Sequence, residues 1–130
     1  MEIKYKMKEI DTTHLIAESW SYTFLLKVPA RYLAWFILNF TKLTPNNVTL
    51  FGFILGLISA YSFFNGEFIL GAILFIFFII FDLIDGKIAR ARKMCSLYGE
   101  FLDDYLGLLG LFVISFALTI GRYNVDGDII

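Results

Sequence analysis

Three aspartates, Asp82, Asp85 and Asp103, lie in or beside strongly apolar stretches of this 130-residue chain. A charged side chain in or near membrane hydrocarbon costs about 2.5–3.5 kcal/mol even on a lenient scale, so such residues usually serve a function. Asp82 and Asp85 are three residues apart and would share one side of a helix, where their charges repel each other unless a cation joins them. A hard divalent ion such as Mg²⁺, which prefers carboxylate oxygens, would relieve that repulsion. The pattern therefore indicates a divalent-metal site.

Small and basic residues follow the first two aspartates. On a helix that continues from Asp82 to Arg90, Gly86 and Ala89 would lie on the same broad face as the aspartates. Their small side chains would leave a shallow cavity for a flat base or a phosphate, although tight helix packing would also explain them. Arg90, about one turn beyond Asp85, could pair with a phosphate or extend to the membrane interface.

The complete arrangement reads D-L-I-D-G-K-I-A-R over residues 82–90, then eight residues, then G-E-F-L-D over residues 99–103. It resembles the signature of the CDP-alcohol phosphotransferases, D-x2-D-G-x2-A-R-x8-G-x3-D-x3-D. This sequence has the residue of the signature at every fixed position from Asp82 to Asp103, including Gly99. The last position of the signature is an aspartate, and here it is Gly107.

The resemblance implies a transferase of phospholipid biosynthesis. In that family an acceptor alcohol attacks the phosphorus of the group carried by a CDP-linked donor, and CMP leaves. The implied partners are the CDP-linked donor, the alcohol acceptor and membrane lipid, with no nucleic acid; a homodimer is a further option. The implied cofactor is Mg²⁺ or Mn²⁺. The metal ligands would be Asp82, Asp85 and Asp103, and the substrate-binding residues would be Gly86, Ala89, Arg90 and Gly99.

The glycine at position 107 is the departure that bears on catalysis. The family associates this position with the general base and with the metal site, and glycine can supply neither. Asp103 then remains as the catalytic carboxylate. Asp104 is a candidate substitute, although it lies three residues before position 107, roughly 4.5 Å lower along a helix axis. We therefore expect slow or no turnover from this chain alone.

Two main functions stay open from the sequence. The first is an active CDP-alcohol phosphotransferase. The second is a catalytically impaired or truncated homologue that binds metal and CDP-ligand without turnover. A third hypothesis, an unrelated transport subunit with intramembrane carboxylates, does not require glycine and arginine at these offsets.

The composition predicts an all-α integral membrane protein. The chain is 58% hydrophobic and 18% aromatic, and the excess is concentrated in uncharged runs at residues 46–64, 68–81 and 105–120. A membrane-spanning helix needs about 20 predominantly apolar residues. We expect three spans near residues 46–64, 68–90 and 97–120, which is half of the six that the resembled family usually has.

The distribution of positive charge predicts the orientation of these spans, although the net charge is only −1. Lys87, Arg90, Arg92 and Lys93 lie between the second and third spans, further basic residues precede the first span, and only Arg122 would lie on the other side. Because basic residues favour the cytoplasmic side, the N-terminus and the 87–98 loop should be cytoplasmic. The active site would then face the cytoplasm.

The region before the first span divides into two parts. Residues 1–22 should form a mobile lead without the features of a signal peptide. Residues 23–130 should form a partial membrane domain of the family. It would begin with an interfacial amphipathic helix within residues 23–42, for which a short fourth span is the alternative. The apolar face of that helix would be formed by Tyr32, Leu33, Trp35, Phe36, Ile37 and Phe40.

Smaller local signals complete the analysis. Thr44 should cap the first spanning helix, with Pro45 at its first position. Gly52, Gly56 and Ala60 are spaced by four residues, which favours close helix packing, within the bundle rather than between two copies. The lone Cys95 should be an incidental free thiol on the cytoplasmic loop.

Overall fold

The computed structural model describes Lys6 and residues 23–127. Within these residues a π-helical turn, Thr23–Lys27, leads into α1 (Val28–Phe40), α2 (Pro45–Phe64), α3 (Phe68–Ala91) and α4 (Leu97–Asp126). In this described part, α2, α3 and α4 are long and apolar enough to cross a membrane. The all-α class and the three predicted spans are therefore confirmed. The predicted mobile lead lies outside the described residues, apart from Lys6.

Two of the three spanning helices, α2 and α4, begin at side chains that accept hydrogen bonds from free backbone N–H groups. Thr44 caps α2, its hydroxyl accepting from the N–H of Asn47 at 3.4 Å, and Pro45 occupies the first turn, as predicted. Ser96 caps α4 in the same way and accepts from the N–H of Gly99 at 3.0 Å.

Helix α4 continues beyond residue 120, where the sequence placed the end of the third span. The polar residues after the apolar run stay helical, and among them Arg122 and Asp126, one turn apart, form an ion pair at 2.5 Å. The helix ends at Gly127, whose φ of 63° allows its N–H to bond back to the carbonyl of Tyr123.

Helix α2 is the centre of the bundle. It packs along both α3 and α4, whereas α3 and α4 make few contacts with each other. Close packing in the bundle is therefore between α2 and each of its neighbours rather than between α3 and α4. The spacing of small residues on α2 explains this arrangement, because a Cβ at Gly52 would lie 2.9 Å from Cβ of Phe81, and one at Gly56 would lie 3.0 Å from the Phe78 ring. The predicted packing role of these glycines within the bundle is confirmed.

Two glycines of α4 allow close contacts, one with a side chain of α3 and one with the backbone of α2. The Phe78 ring, which faces Gly56, also lies against Gly110, where a Cβ would approach the ring to 2.9 Å. Towards the end of α4, a Cβ at Gly121 would lie 1.8 Å from the carbonyl oxygen of Phe63. Backbone therefore meets backbone at this crossing, and no other residue type fits there.

Helix α1 lies against the C-terminal half of α3. Its 13 residues extend about 20 Å, too short for a bilayer core of about 30 Å, so the structure does not support a fourth span in α1. Ala30, Ala34 and Leu38 are buried on its inner face, where small side chains let the two helices approach.

The outer face of α1 is apolar but exposed. Tyr32, Phe36 and Phe40 are each about half exposed, and the rings of Phe36 and Phe40 stack with centroids 5.1 Å apart. The predicted single apolar face is thus divided, because Ile37 is buried in the core and Leu33 and Trp35 pack partly against it.

Candidate functional site

The ends of three helices enclose a cavity of about 320 Å³, which we call the main cavity. The start of α2, the end of α3, the loop after it and the start of α4 form its walls. It is lined by Pro45, Asn46, Thr49, Asp85, Gly86, Ala89, Arg90, Met94, Cys95, Ser96, Gly99, Glu100 and Asp103. The site residues predicted from the sequence that line it are Asp85, Gly86, Ala89, Arg90, Gly99 and Asp103.

Asp85 is held at the base of the main cavity by α2. Its side chain is only 2% exposed, and its Oδ2 accepts a hydrogen bond of 2.6 Å from the hydroxyl of Thr49. The same hydroxyl lies 3.1 Å from the carbonyl oxygen of Pro45, but its single proton can serve one acceptor at a time, and the shorter contact is to the carboxylate. The other oxygen, Oδ1, is buried without a hydrogen-bond partner.

Asp103 contributes a second unpartnered oxygen from α4. It lies in the second turn of that helix, and its Oδ1 is also buried without a partner. It is close enough to Asp85 for the two carboxyl groups to interact. Within the described residues, the ion pair recorded joins Arg122 and Asp126 and involves neither carboxylate.

Asp82 lies apart from the main cavity. Together with Asp85 it lines a much smaller pocket of about 10 Å³, which Gly107 also lines. Its Oδ1 would lie 3.2 Å from a Cβ at Gly107. In residues 23–127 no three Asp, Glu, His or Cys side chains are arranged to hold one ion, so the predicted cage of three aspartates is not closed in this structure. The structure brings Asp85 and Asp103 to one cavity and leaves Asp82 beside it.

The small residues of α3 border open space. The nearest atom that a Cβ at Gly86 would meet, outside the adjoining backbone, is Nη2 of Arg90 at 3.9 Å. Packing against another helix therefore does not require glycine here, in contrast to Gly52 and Gly121. Gly99 differs, because a Cβ there would approach the Ser96 hydroxyl to 3.1 Å and Asn46 Oδ1 to 3.3 Å. Gly86 leaves the cavity open, and Gly99 allows the ends of α2 and α4 to approach each other.

Comparison with known proteins matches residues 42–126, which is more than half of the chain, to the sequence model of the CDP-alcohol phosphatidyltransferases. The chain belongs to this family. The match covers all of α2, α3 and α4, and thus every wall of the main cavity. The resemblance seen in the sequence motif is therefore confirmed at the level of the family.

One curated relative in this family is the archaetidylinositol phosphate synthase of Pyrococcus horikoshii. It is 34% identical over 79 residues, a stretch that covers 61% of this chain and 42% of that protein. The chain thus spans less than half the length of the relative it matches. No solved structure matches the chain.

Enzymes of this family generally depend on a divalent metal, and the main cavity fits such an ion. Mg²⁺ is commonly bound by one or two carboxylates together with water and substrate phosphates. Asp85 and Asp103, from two different helices, both line this cavity, and each has one buried oxygen that no hydrogen-bond donor contacts. An ion there would bind both carboxylates and offset the cost of burying their charges.

Sequence reasoning missed the residues that support the aspartates. Thr49 orients Asp85, and Asn46, Ser96 and Glu100 line the cavity without belonging to the family signature. Thr49 could have been found, because it lies one turn after Pro45 and one before Gly52 on the face of α2 that packs against α3. Asp104, the predicted substitute for the missing aspartate, is exposed and does not line the main cavity.

Proposed function

We propose that this chain forms the donor-binding part of a CDP-alcohol phosphotransferase of phospholipid biosynthesis. It would transfer a substituted phosphate from a CDP-linked donor to an alcohol and release CMP. The observation that carries the proposal is the pair of buried, unpartnered oxygens of Asp85 and Asp103 at one cavity with Gly86 and Arg90. Family membership supports the class of reaction.

Each cavity residue has a defined part in this proposal. Asp85 and Asp103 would hold Mg²⁺ or Mn²⁺, and Thr49 fixes the orientation of Asp85. The bound metal supplies charge neutralisation at the phosphoryl oxygens and at the leaving phosphate. The guanidinium of Arg90 is suited to a phosphate oxygen pair. Gly86 and Ala89 leave room for the nucleotide, and Gly99 keeps the opposite wall close. Asp82 lies beside this site, in the small pocket that it shares with Asp85.

The transfer itself needs a proton acceptor. The acceptor oxygen bonds to the phosphorus of the transferred group, the bond from that phosphorus to the bridging oxygen breaks, and CMP leaves with that oxygen. The alcohol loses its proton as it attacks. Asp103 and Glu100 are the carboxylates of α4 that line the main cavity and could accept it, but Asp103 is also needed for the metal.

That conflict favours a second candidate function, binding of metal and CDP-ligand without turnover. Position 107, where the family signature has an aspartate, presents only glycine towards Asp82. Asp104 does not line the main cavity. The two candidates share the same binding step and differ only in whether CMP is released.

The proposed setting is a membrane, with the main cavity at the cytoplasmic face. Three apolar helices and the family support an integral membrane protein. Arg90, Arg92 and Lys93 lie at the cavity end of the bundle, whereas Arg122 lies at the opposite end of α4, which agrees with a cytoplasmic cavity. Membrane lipid would be the surrounding partner, and a homodimer stays a prediction that the mass in detergent would check.

The named relative suggests one acceptor to try first. Because that protein is a synthase of archaetidylinositol phosphate, an inositol phosphate is a candidate acceptor for this chain. The donor would be a CDP-linked lipid.

CDP binding and CMP release, measured on the same preparation, would test the proposal. The protein in lipid nanodiscs is given Mn²⁺ and CDP for calorimetry, and then a CDP-linked lipid with inositol phosphate for CMP release. Binding and release that are both lost in Asp103→Asn but kept in Asp104→Asn would support transfer. Binding without release in the parent would establish the second candidate. Absence of CDP binding in the parent would overturn both.

A further inference from the structure

Arg92 connects two segments that are far apart in the chain. It caps the end of α3, and its guanidinium donates to two backbone carbonyls of the connection between α1 and α2. Nη2 donates to the carbonyl of Thr41 at 2.7 Å, and Nη1 donates to the carbonyl of Leu43. The family signature does not include this position.

The carbonyls that Arg92 contacts need such a donor. Thr41 is the C-terminal cap of α1, and carbonyl groups at the end of a helix have no partner within it. The end of a helix also carries partial negative charge, which favours a cation. The planar guanidinium can serve two acceptors at once, which an ammonium group on a flexible stem does less well.

The two segments that Arg92 joins lead directly into opposite walls of the main cavity. The connection from Thr41 runs into the Thr44 cap and the first turn of α2, where Pro45 and Asn46 line the cavity. In the other direction the chain continues from Arg92 through a turn, with Lys93 at a φ of 55°, to the cavity residues of the 94–96 loop. The two segments are not joined to each other by the hydrogen bonds of a helix.

We propose that Arg92 is a positioning residue that fixes the distance between these two walls of the main cavity. It does not line the cavity and would not touch a bound nucleotide. Its hydrogen bonds hold the start of α2, and with it Thr49, in register with the loop that leads to Asp103. The part of this inference that concerns ligand affinity rests on the proposed function, while the part that concerns the two segments does not.

Hydrogen–deuterium exchange and CDP titration test the two parts separately, with Arg92→Ala, Arg92→Lys and Lys93→Asn compared with the parent in nanodiscs. Lys93→Asn removes one positive charge from the same turn, and asparagine tolerates the positive φ there. Without nucleotide, Arg92→Ala should raise deuterium uptake in segments 41–49 and 92–99 but not in 50–64. With Mn²⁺ present, its Kd for CDP should rise about tenfold, because two hydrogen bonds from a charged group are lost. Arg92→Lys should give an intermediate result, and Lys93→Asn should match the parent.

Several results would overturn the inference. One is unchanged uptake in segment 41–49 of Arg92→Ala. Another is uptake that rises throughout, including 50–64, since this would mean general destabilisation. A third is raised local uptake with unchanged CDP affinity, and a fourth is an equal loss of affinity in Lys93→Asn, which would indicate charge alone. If the parent binds no CDP, the proposed function fails, and the exchange data alone decide whether Arg92 joins the two segments.

Discussion

The hydroxyl of Thr49 lies 2.6 Å from Oδ2 of Asp85, across the contact between α2 and α3. This hydrogen bond leaves Oδ1 of the same carboxylate as the oxygen without a partner at the cavity wall. The orientation of Asp85 therefore depends on a residue 36 positions earlier in the chain. Hydrogen-bond partners of this kind orient carboxylates that bind metals.

We expect Thr49→Val to weaken Mn²⁺ binding by about 10–100-fold, the usual effect of losing a group that orients a metal ligand. Valine keeps the shape of threonine but cannot donate to the carboxylate. Thr49→Ser, which keeps the hydroxyl, should bind within a few-fold of the parent. Titration of Mn²⁺ in the presence of CDP would measure this. Equal affinity in Thr49→Val and the parent would show that the hydrogen bond does not prepare Asp85 for an ion.

Two glycine substitutions should have opposite consequences. Gly121→Ala should destabilise the fold by at least about 1–3 kcal/mol, the usual effect of overpacking, because its Cβ would lie 1.8 Å from the carbonyl oxygen of Phe63. Gly86→Ala should keep or slightly raise stability, since alanine favours a helix and meets open space, but it should weaken CDP binding. Thermal unfolding in detergent and CDP titration separate the two effects. A stable Gly121→Ala protein would contradict the close crossing of α2 and α4.

Much of the fold could be predicted from the sequence because its signals are local. The apolar runs and the threonine and proline at residues 44 and 45 define α2. Spacing placed Asp82, Asp85, Gly86 and Ala89 on one face of α3, and the last three of these line the main cavity. The end of α4 was missed because the apolar run marks only the membrane-spanning part, and the helix continues through the polar residues after it.

The arrangement of the three aspartates could not be predicted from spacing. Whether Asp82 or Asp85 faces Asp103 depends on how α3 and α4 are rotated about α2. That rotation is set by contacts between distant residues, such as the Phe78 ring between Gly56 and Gly110. The division of the apolar face of α1 has a similar origin, since Ala30 and Ala34 bring α1 close to α3 and turn Tyr32 and Phe36 outward.

The predicted orientation can be tested by labelling cysteines in intact cells. A cysteine placed at Asn65, in a protein whose Cys95 has been replaced, should react with an impermeant maleimide from outside. Asn65 ends α2 at the end of the bundle away from the cavity, and Cys95 is exposed on the 92–96 loop. The native Cys95 should react only after the cells are opened. The reverse pattern would contradict the cytoplasmic placement of the cavity.

Gly107→Asp should raise the rate of CMP release from a CDP-linked donor. General-base assistance is typically worth about 10²–10⁴-fold, and the new carboxylate would begin beside Asp82, where a Cβ lies 3.2 Å from Oδ1. The carboxylate at position 107 of α4 would then face that of Asp82 on α3. Asp104→Asn in the parent is the matched control, since it removes the nearest other carboxylate on α4. Rapid release from the parent that persists in Asp104→Asn would show that position 107 is dispensable.

The central claim is that Asp85 and Asp103 hold one divalent cation together, and the most direct measurement is Mn²⁺ binding by electron paramagnetic resonance in the presence of CDP. The parent and Asp104→Asn should bind the ion with similar affinity. Asp85→Asn and Asp103→Asn should each lose more than about 100-fold, since even groups that only support a ligand are worth about 10–100-fold. If Asp85→Asn bound Mn²⁺ as tightly as the parent, these two carboxylates would not form the metal site.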